Sequence, residues 1–360
     1  MTTLLSAFDP TARGCFVIGE IGVNHNGDLA MARQLIDVAA DAGADAVKFQ
    51  TFSAEKLVTR TARQADYQAR NLGSAEGESQ FAMLQALELS ADELRACHAH
   101  CRERGVLFLS TPFDEDAADL LEAVGVEGFK VGSGDLTHLP MLAHIAQKGL
   151  PMIVSTGMAN LGEVERAVRT VEAAGDPPLA ILHCVSDYPA EAADCNLAAM
   201  NTLAQAFGRV VGWSDHTLGD AVSVAAVARG ARILEKHFTL DTNLPGPDHK
   251  ASLPPAAFKD LVAKVRQVEA AIGDGIKRPR ASERATARVA RRSVVSARAV
   301  ARGETLREAD LAIKRPGTGF APDRLSEIVG RRAARDIAAD TVLAPADLGE
   351  VVLGEIADSP

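Results

Sequence analysis

The chain has 360 residues, 47% apolar and 24% charged, a composition that fits a soluble globular protein with one sizeable domain and a smaller one. Its net charge of -10, from 38 Lys and Arg against 48 Asp and Glu, opposes nucleic-acid binding and obliges any anionic ligand to find a local basic pocket. No apolar run is long enough to span a membrane, and the opening MTTLLSAFDPTARG lacks the basic and apolar regions of a signal peptide, so the expected address is the cytoplasm, with no membrane partner.

Short β-rich apolar runs alternate with amphipathic stretches. The runs fall at 15–22, 46–50, 106–111, 128–133, 152–157, 179–186, 210–217 and 232–239. Helical patterns occupy 28–42, 91–104, 115–124, 161–174, 220–229 and 255–272. Eight strands with intervening helices predict a (β/α)8 TIM barrel over residues 1–275. A barrel is preferred to a doubly wound sheet because nearly every run ends in polar or reactive side chains: Glu20, Lys48, Ser110, Lys130, Ser155, Ser186, Ser214 and His237. Strand alternation sets Lys48 and Gln50 on one face and Glu235, His237 and Thr239 on one face, but separates Lys130 from Ser133.

Five cysteines at irregular spacing predict free, mostly buried thiols. Cys97 and Cys101 flank His98 and His100, which invites a metal reading; only the cysteines share a helix face, however, so an ordinary helix is the better one. A basic, Ala-rich linker over 276–292 then leads into a small domain at 293–360. There ARGETL at 301–306 and AADTVL at 338–343 repeat at an offset of 37 positions that Asp310 and Asp347 share, which predicts a pseudo-symmetric fold. Between the copies lies the basic loop KRPGTG, residues 314–319.

The strand ends suggest a single site. His216 and His237, on adjacent strands, suit a divalent transition metal such as Mn or Zn. Lys48 and Lys130 with Ser133, Ser155 and Ser214 suit a phosphate or carboxylate, and Glu20 and Asp135 add carboxylates for acid–base work.

Nine segments carry a resemblance that runs in order through nearly the whole chain: IGEIGVNHNG (18–27), VKFQT (47–51), STPF (110–113), FKVGSG (129–134), STGM (155–158), WSDHT (213–217), EKHFT (235–239), PGPDH (245–249) and KRPG (314–317). Together they resemble the sialic acid synthase family, a TIM barrel followed by a small C-terminal antifreeze-like (SAF) domain. The resemblance implies condensation of phosphoenolpyruvate with the open-chain form of an N-acetylated mannosamine-type sugar, releasing phosphate. N-acetylneuraminate, made from N-acetylmannosamine, is the implied product. The alternative is legionaminic acid, made from 2,4-diacetamido-2,4,6-trideoxymannose.

Carried over by position, the resemblance implies that Lys48, Lys130, Ser133, Ser155 and Ser214 hold phosphoenolpyruvate, while His216 and His237 hold Mn2+ or Mg2+ to polarise the sugar aldehyde. Glu20 would stabilise the cation formed at C2 and position or deprotonate the attacking water. Tyr188, Asp248 and Arg315 would contact the sugar, Arg315 acting in trans within a domain-swapped homodimer. Two positions depart from the family pattern. Asp135 stands where well-known members carry Glu for sugar-side proton transfer, and Ser186 stands where some place an Asn that bridges the substrates. Both bear on which sugar is used. Rival readings are a condensing enzyme for a phosphorylated aldose, a metal-dependent hydrolase, and a non-catalytic sugar- or ice-binding module.

Overall fold

A computed structural model of the chain describes residues 3–9, 14–63 and 79–351. The chain divides into two compact units, Met1–Gly273 and Asp274–Pro360. The first is the predicted barrel. Its strands are β1 (Phe16–Gly22), β2 (Ala46–Thr51), β3 (Leu107–Pro112), β4 (Phe129–Val131), β5 (Met152–Ser155), β6 (Leu179–His183), β7 (Val210–Asp215) and β8 (Ile233–His237). They pair in parallel in the order β3-β2-β1-β8-β7-β6-β5-β4. β3 and β4 lie side by side at the seam, so the barrel is nearly closed.

Parallel strands covered on both faces read as apolar throughout, and these do. Phe16, Ile18, Ala46, Leu109, Ile153, Ala180, Leu182 and Ile233 form one buried cluster, joined by Leu4 and Ala7 of the short 3-10 turn Leu4–Phe8. Val17, Val47, Phe49, Phe108, Phe129, Val154 and Trp213 belong to a second, larger cluster that includes the inner faces of the helices. Helix boundaries follow local chemistry. Asp28 accepts hydrogen bonds from the Ala30 and Met31 amides to start the helix Leu29–Ala42, and Gly43, at φ +82°, ends it in the left-handed conformation. Ser90 and Asn160 form capping boxes with Glu93 and Glu163, opening the helices Ala91–Arg104 and Leu161–Ala174. Further helices, Ala54–Leu57, Gln80–Gln85, Leu139–Gln147 and Ala199–Phe207, fall outside the patterns read from sequence.

All five cysteines are free and buried. Cys97 and Cys101 face the core, whereas the His98 ring packs edge-on against Phe108 and His100 Nε2 pairs with Asp37 Oδ1 at 2.9 Å. The four side chains therefore diverge as an ordinary helix requires. Among the described residues no helix is long and apolar enough to cross a membrane.

In the second unit the stretch read as a linker carries a helix, Arg284–Ala290, whose Arg288 carbonyl accepts from the Gly317 amide at 2.8 Å. Beyond it, β9 (Ser293–Ser296) pairs antiparallel with β10 (Leu311–Lys314), and β11 (Arg331–Ala333) with β12 (Leu348–Val351). The sequence repeat is a structural one. Arg298 Nε donates to Asp310 Oδ1 at 2.7 Å and Arg335 Nε donates to Asp347 Oδ1 at 2.6 Å, at the same offset. Val300 and Ile337, equivalent positions, exchange both backbone hydrogen bonds at 2.8 Å, so a pseudo-two-fold axis passes between them. Asp340, at φ +63°, occupies the left-handed turn position that glycine fills in the first copy, where Gly303 has φ +83°.

Candidate active site

The predicted side chains of the barrel come from the C-terminal ends of the strands or the loops that follow them, the end at which such barrels carry their sites. A cavity of about 380 Å3 opens there, lined by Glu20, Lys48, Lys130, Ser133, Ser155, Ser186, Tyr188, Ser214, His216, His237 and Asp248. Parallel register explains the convergence: Glu20 stands level with Lys48 on one side and His237 on the other, and Ser214 level with Glu235. Ser133 reaches the same cavity as Lys130 despite strand alternation, because β4 stops at Val131 and the turn Ser133–Asp135 re-aims it. Ser186 and Tyr188 reach it from the loop after β6, which ends at His183 and not at residue 186.

The charged groups form one buried network. Lys48 Nζ lies 3.2 Å from Glu20 Oε2 and 3.1 Å from Glu235 Oε2. Lys130 Nζ lies 3.7 Å from Glu235 Oε1 and donates to Ser155 Oγ at 2.6 Å, and Ser214 Oγ donates to Glu235 Oε1 at 2.8 Å. Burial pushes both carboxyls up. For Glu235 the attraction of Lys130 and Lys48 overcomes burial and holds it well below the carboxylate range. For Glu20 burial prevails over Lys48, and repulsion from Glu235 adds to it, so its carboxyl rises to about 8. Burial lowers Lys130 to about 8, against the pull of Glu235. With Glu20 largely protonated near neutral pH, two ammonium groups face one carboxylate. The basic pocket that the chain's net charge demands is thus a balanced cluster with a small positive excess.

The histidines are neutral. Burial lowers His216 to about 4, although its hydrogen bond to Val185 O opposes this, and burial together with His216 and Lys48 holds His237 well below the ordinary imidazole value. His216 Nδ1 donates to Val185 O at 2.5 Å, which leaves Nε2 with its lone pair, 3.4 Å from Ser214 Oγ. His237 Nδ1 is buried without a hydrogen-bond partner among the described residues and lies 4.0 Å from Asp248 Oδ2. The ring centroids stand 5.6 Å apart, with the Tyr188 ring 4.1 Å from His216 and 5.7 Å from His237. Two neutral imidazoles with uncommitted nitrogens fit a divalent cation, whose other positions would fall to water and substrate, since among the described residues no group of three or more His, Cys, Asp or Glu side chains could hold a metal ion.

One predicted residue of the barrel is not brought to the cavity wall. Asp135 closes the turn after β4, half-buried, with its carboxyl pushed up to about 6 by burial, and does not line the cavity. Arg315 lies exposed on the second unit. Glu235, by contrast, is central and had no role in the sequence reading, although strand alternation had already set it beside His237; Gln50, whose Nε2 approaches Glu20 Oε1 at 3.5 Å, also lines the cavity.

The motif at 24–26 acts one layer behind. Asn24 Nδ2 donates to Phe238 O at 2.8 Å and Ser252 Oγ at 2.9 Å, and Ser252 Oγ donates to Asp248 O at 2.7 Å. Asn26 Oδ1 meets His249 Nε2 at 3.1 Å, whose Nδ1 pairs with Thr239 Oγ1 at 2.7 Å. The first loop therefore clamps the last one, which carries Asp248.

Comparison with known proteins bears on this geometry. The model of the NeuB family matches residues 35–277 and that of the SAF domain matches 291–349. The chain is 46% identical over 333 residues to N,N'-diacetyllegionaminic acid synthase of Legionella pneumophila, covering 91% of this chain and 93% of that one. It is 35% identical to human N-acetylneuraminate-9-phosphate synthase, covering 91% of each chain. Among solved structures it is similar to the N-acetylneuraminic acid (sialic acid) synthetase of Leptospira borgpetersenii in complex with citrate, at a TM-score of 0.67 and 34% identity, over 76% of this chain and 90% of that one.

Proposed function

Because the chain belongs to the NeuB family of phosphoenolpyruvate-dependent nonulosonic acid synthases, we propose that it condenses phosphoenolpyruvate with 2,4-diacetamido-2,4,6-trideoxymannose and water to give N,N'-diacetyllegionaminate and phosphate. The observation that carries the reading is the convergence of two lysines, four serines, two neutral histidines and a protonatable carboxyl on one cavity at the strand ends. The 46% identity to the legionaminic acid synthase, against 34% to the sialic acid synthetase of Leptospira borgpetersenii, supports the diacetamido sugar over N-acetylmannosamine.

In this reading Lys48 and Lys130, with Ser133, Ser155 and Ser214, hold the phosphate and carboxylate of phosphoenolpyruvate, Lys130 already oriented by its bond to Ser155. His216 and His237 would hold Mn2+ or Mg2+, which when bound supplies Lewis-acid polarisation of the aldehyde. C3 of the enol attacks the aldehyde carbon, and positive charge develops at C2 beside the Glu20–Lys48–Glu235 cluster, where the ionised Glu235 offsets it. Water adds at C2, and the tetrahedral intermediate loses phosphate by C–O cleavage. Only the ionised form of Glu20 can take a proton from the attacking water, a form that grows as pH rises toward about 8; that proton balances the one the aldehyde oxygen takes up on becoming a hydroxyl. Tyr188 and Asp248 face the sugar, and the reading includes Arg315 supplied by the second copy of a homodimer.

The test is phosphate release from phosphoenolpyruvate with Mn2+ and each sugar in parallel, with mass spectrometry of the product and a chelated control. Release is expected to be faster with the diacetamido sugar and to stop on chelation. Preference for N-acetylmannosamine would make the protein an N-acetylneuraminate synthase instead.

A further inference from the structure

The cavity has an apolar wall. Leu57, Val58, Met83, Leu84, Leu87 and Phe113 line it, all from the segments that follow β2 and β3. In the ring of strands this lies across from β6 and β7, whose ends carry Ser186, Tyr188, Ser214 and His216. The six side chains belong to one apolar cluster with Val23, Phe52 and Ala54, in which the Phe52 and Phe113 rings meet edge to face at 5.9 Å. Leu84 and Leu87 are buried, while Leu57, Val58, Met83 and Phe113 are half-buried and so leave carbon surface to the cavity.

A sugar whose aldehyde lies at the histidines and whose chain runs across the barrel mouth brings its C4 to C6 end to this wall. A C4 hydroxyl and a C6 hydroxymethyl would be stripped of water against carbon and find no partner on these six side chains, although Gln80 of the same helix as Met83 also lines the cavity. A C4 acetamido methyl and a C6 methyl would instead bury apolar surface. We propose that this wall is an apolar subsite for the two methyl groups that distinguish a 6-deoxy-4-acetamido sugar from N-acetylmannosamine, with Met83 and Leu57 as specificity-determining residues. The subsite rests on the reading of the protein as a nonulosonic acid synthase. It makes sugar choice a matter of packing at the far end of the cavity, separate from the groups that handle phosphate and metal.

The experiment measures kcat/KM for both sugars with the wild-type protein, Met83→Gln, Leu57→Asn and the conservative Met83→Leu, together with the KM for phosphoenolpyruvate. Because a single methyl-sized difference in an apolar pocket is worth roughly 10- to 200-fold, the diacetamido sugar should lead by at least about tenfold in the wild type. Met83→Gln and Leu57→Asn should each erode that lead through the KM of the sugar while the KM of phosphoenolpyruvate holds, and Met83→Leu should keep it. An unchanged sugar ratio in both polar variants would overturn the subsite while leaving the synthase reading in place. Phosphate release with neither sugar in the wild type would overturn the synthase reading, and the subsite with it.

Discussion

Two lysines confined in one buried cavity repel each other until something anionic joins them, and Glu235 is the group that does so before substrate arrives. Its two oxygens face Lys48 and Lys130 separately, so it holds both ammonium groups in place and charged. Lys130 depends on it more, because burial has already lowered that ammonium to about 8 and Glu235 is the strongest attraction opposing burial. Lys130 binds an anion only while protonated, so kcat/KM for phosphoenolpyruvate should fall as pH rises through about 8. Glu235→Gln removes the opposing attraction, so that limb should move to lower pH, with a loss on the order of tenfold at pH 8 that shrinks toward pH 6. A pH profile of kcat/KM checks this; a uniform loss with an unmoved limb would reduce Glu235 to a packing role. The sequence placed Glu235 on the right face beside His237, but nothing along the strand reveals that two lysines from β2 and β4 will end against it.

At the scale of the element, the strand ends and the main helices were legible because apolar period and capping chemistry agree along the chain. The patterns at 91–104, 115–124, 161–174 and 255–272 coincide with the observed helices. What the period could not supply is where a ladder stops. The runs at 128–133 and 179–186 continue in apolar and small residues past Val131 and His183, yet the chain leaves the sheet there, and the departure is what brings Ser133 and Ser186 into the cavity. The loop that carries Asn24 was read as part of a family motif, while its physical task, tying the β8 loop to the β1 loop, depends on contacts more than 200 residues apart in sequence. Asn24→Ala leaves the Phe238 carbonyl and the Ser252 hydroxyl without that donor and loosens the loop bearing Asp248. The expected result is a rise in the KM of the sugar, on the order of tenfold for a lost buried polar anchor of 1–3 kcal/mol, with the KM of phosphoenolpyruvate nearly unchanged. Steady-state kinetics in which both constants rise together would instead mark a general loss of structure.

At the scale of the whole molecule, the chain joins two architectures that close on themselves differently: a ring of parallel strands whose seam lies between β3 and β4, and a pair of related halves. The second was legible as a repeat because its turn residues recur at a fixed offset, but sequence alone does not say that the halves meet about an axis. Val300 and Ile337 supply that axis. Both are buried, they belong to one cluster, and reciprocal backbone bonds set their side chains opposite each other on the same face. Their combined volume, more than the identity of either, should therefore determine the packing at the axis. Ile337→Val removes a methylene and should cost about 0.5–1.5 kcal/mol, and Val300→Ile alone should overpack the site at about 1–3 kcal/mol. If the two positions are equivalent, the double exchange Val300→Ile with Ile337→Val restores the volume and should recover most of the loss, a coupling readable from denaturant unfolding of the full chain. Strict additivity of the two single losses would show that the side chains do not share the space the axis assigns them.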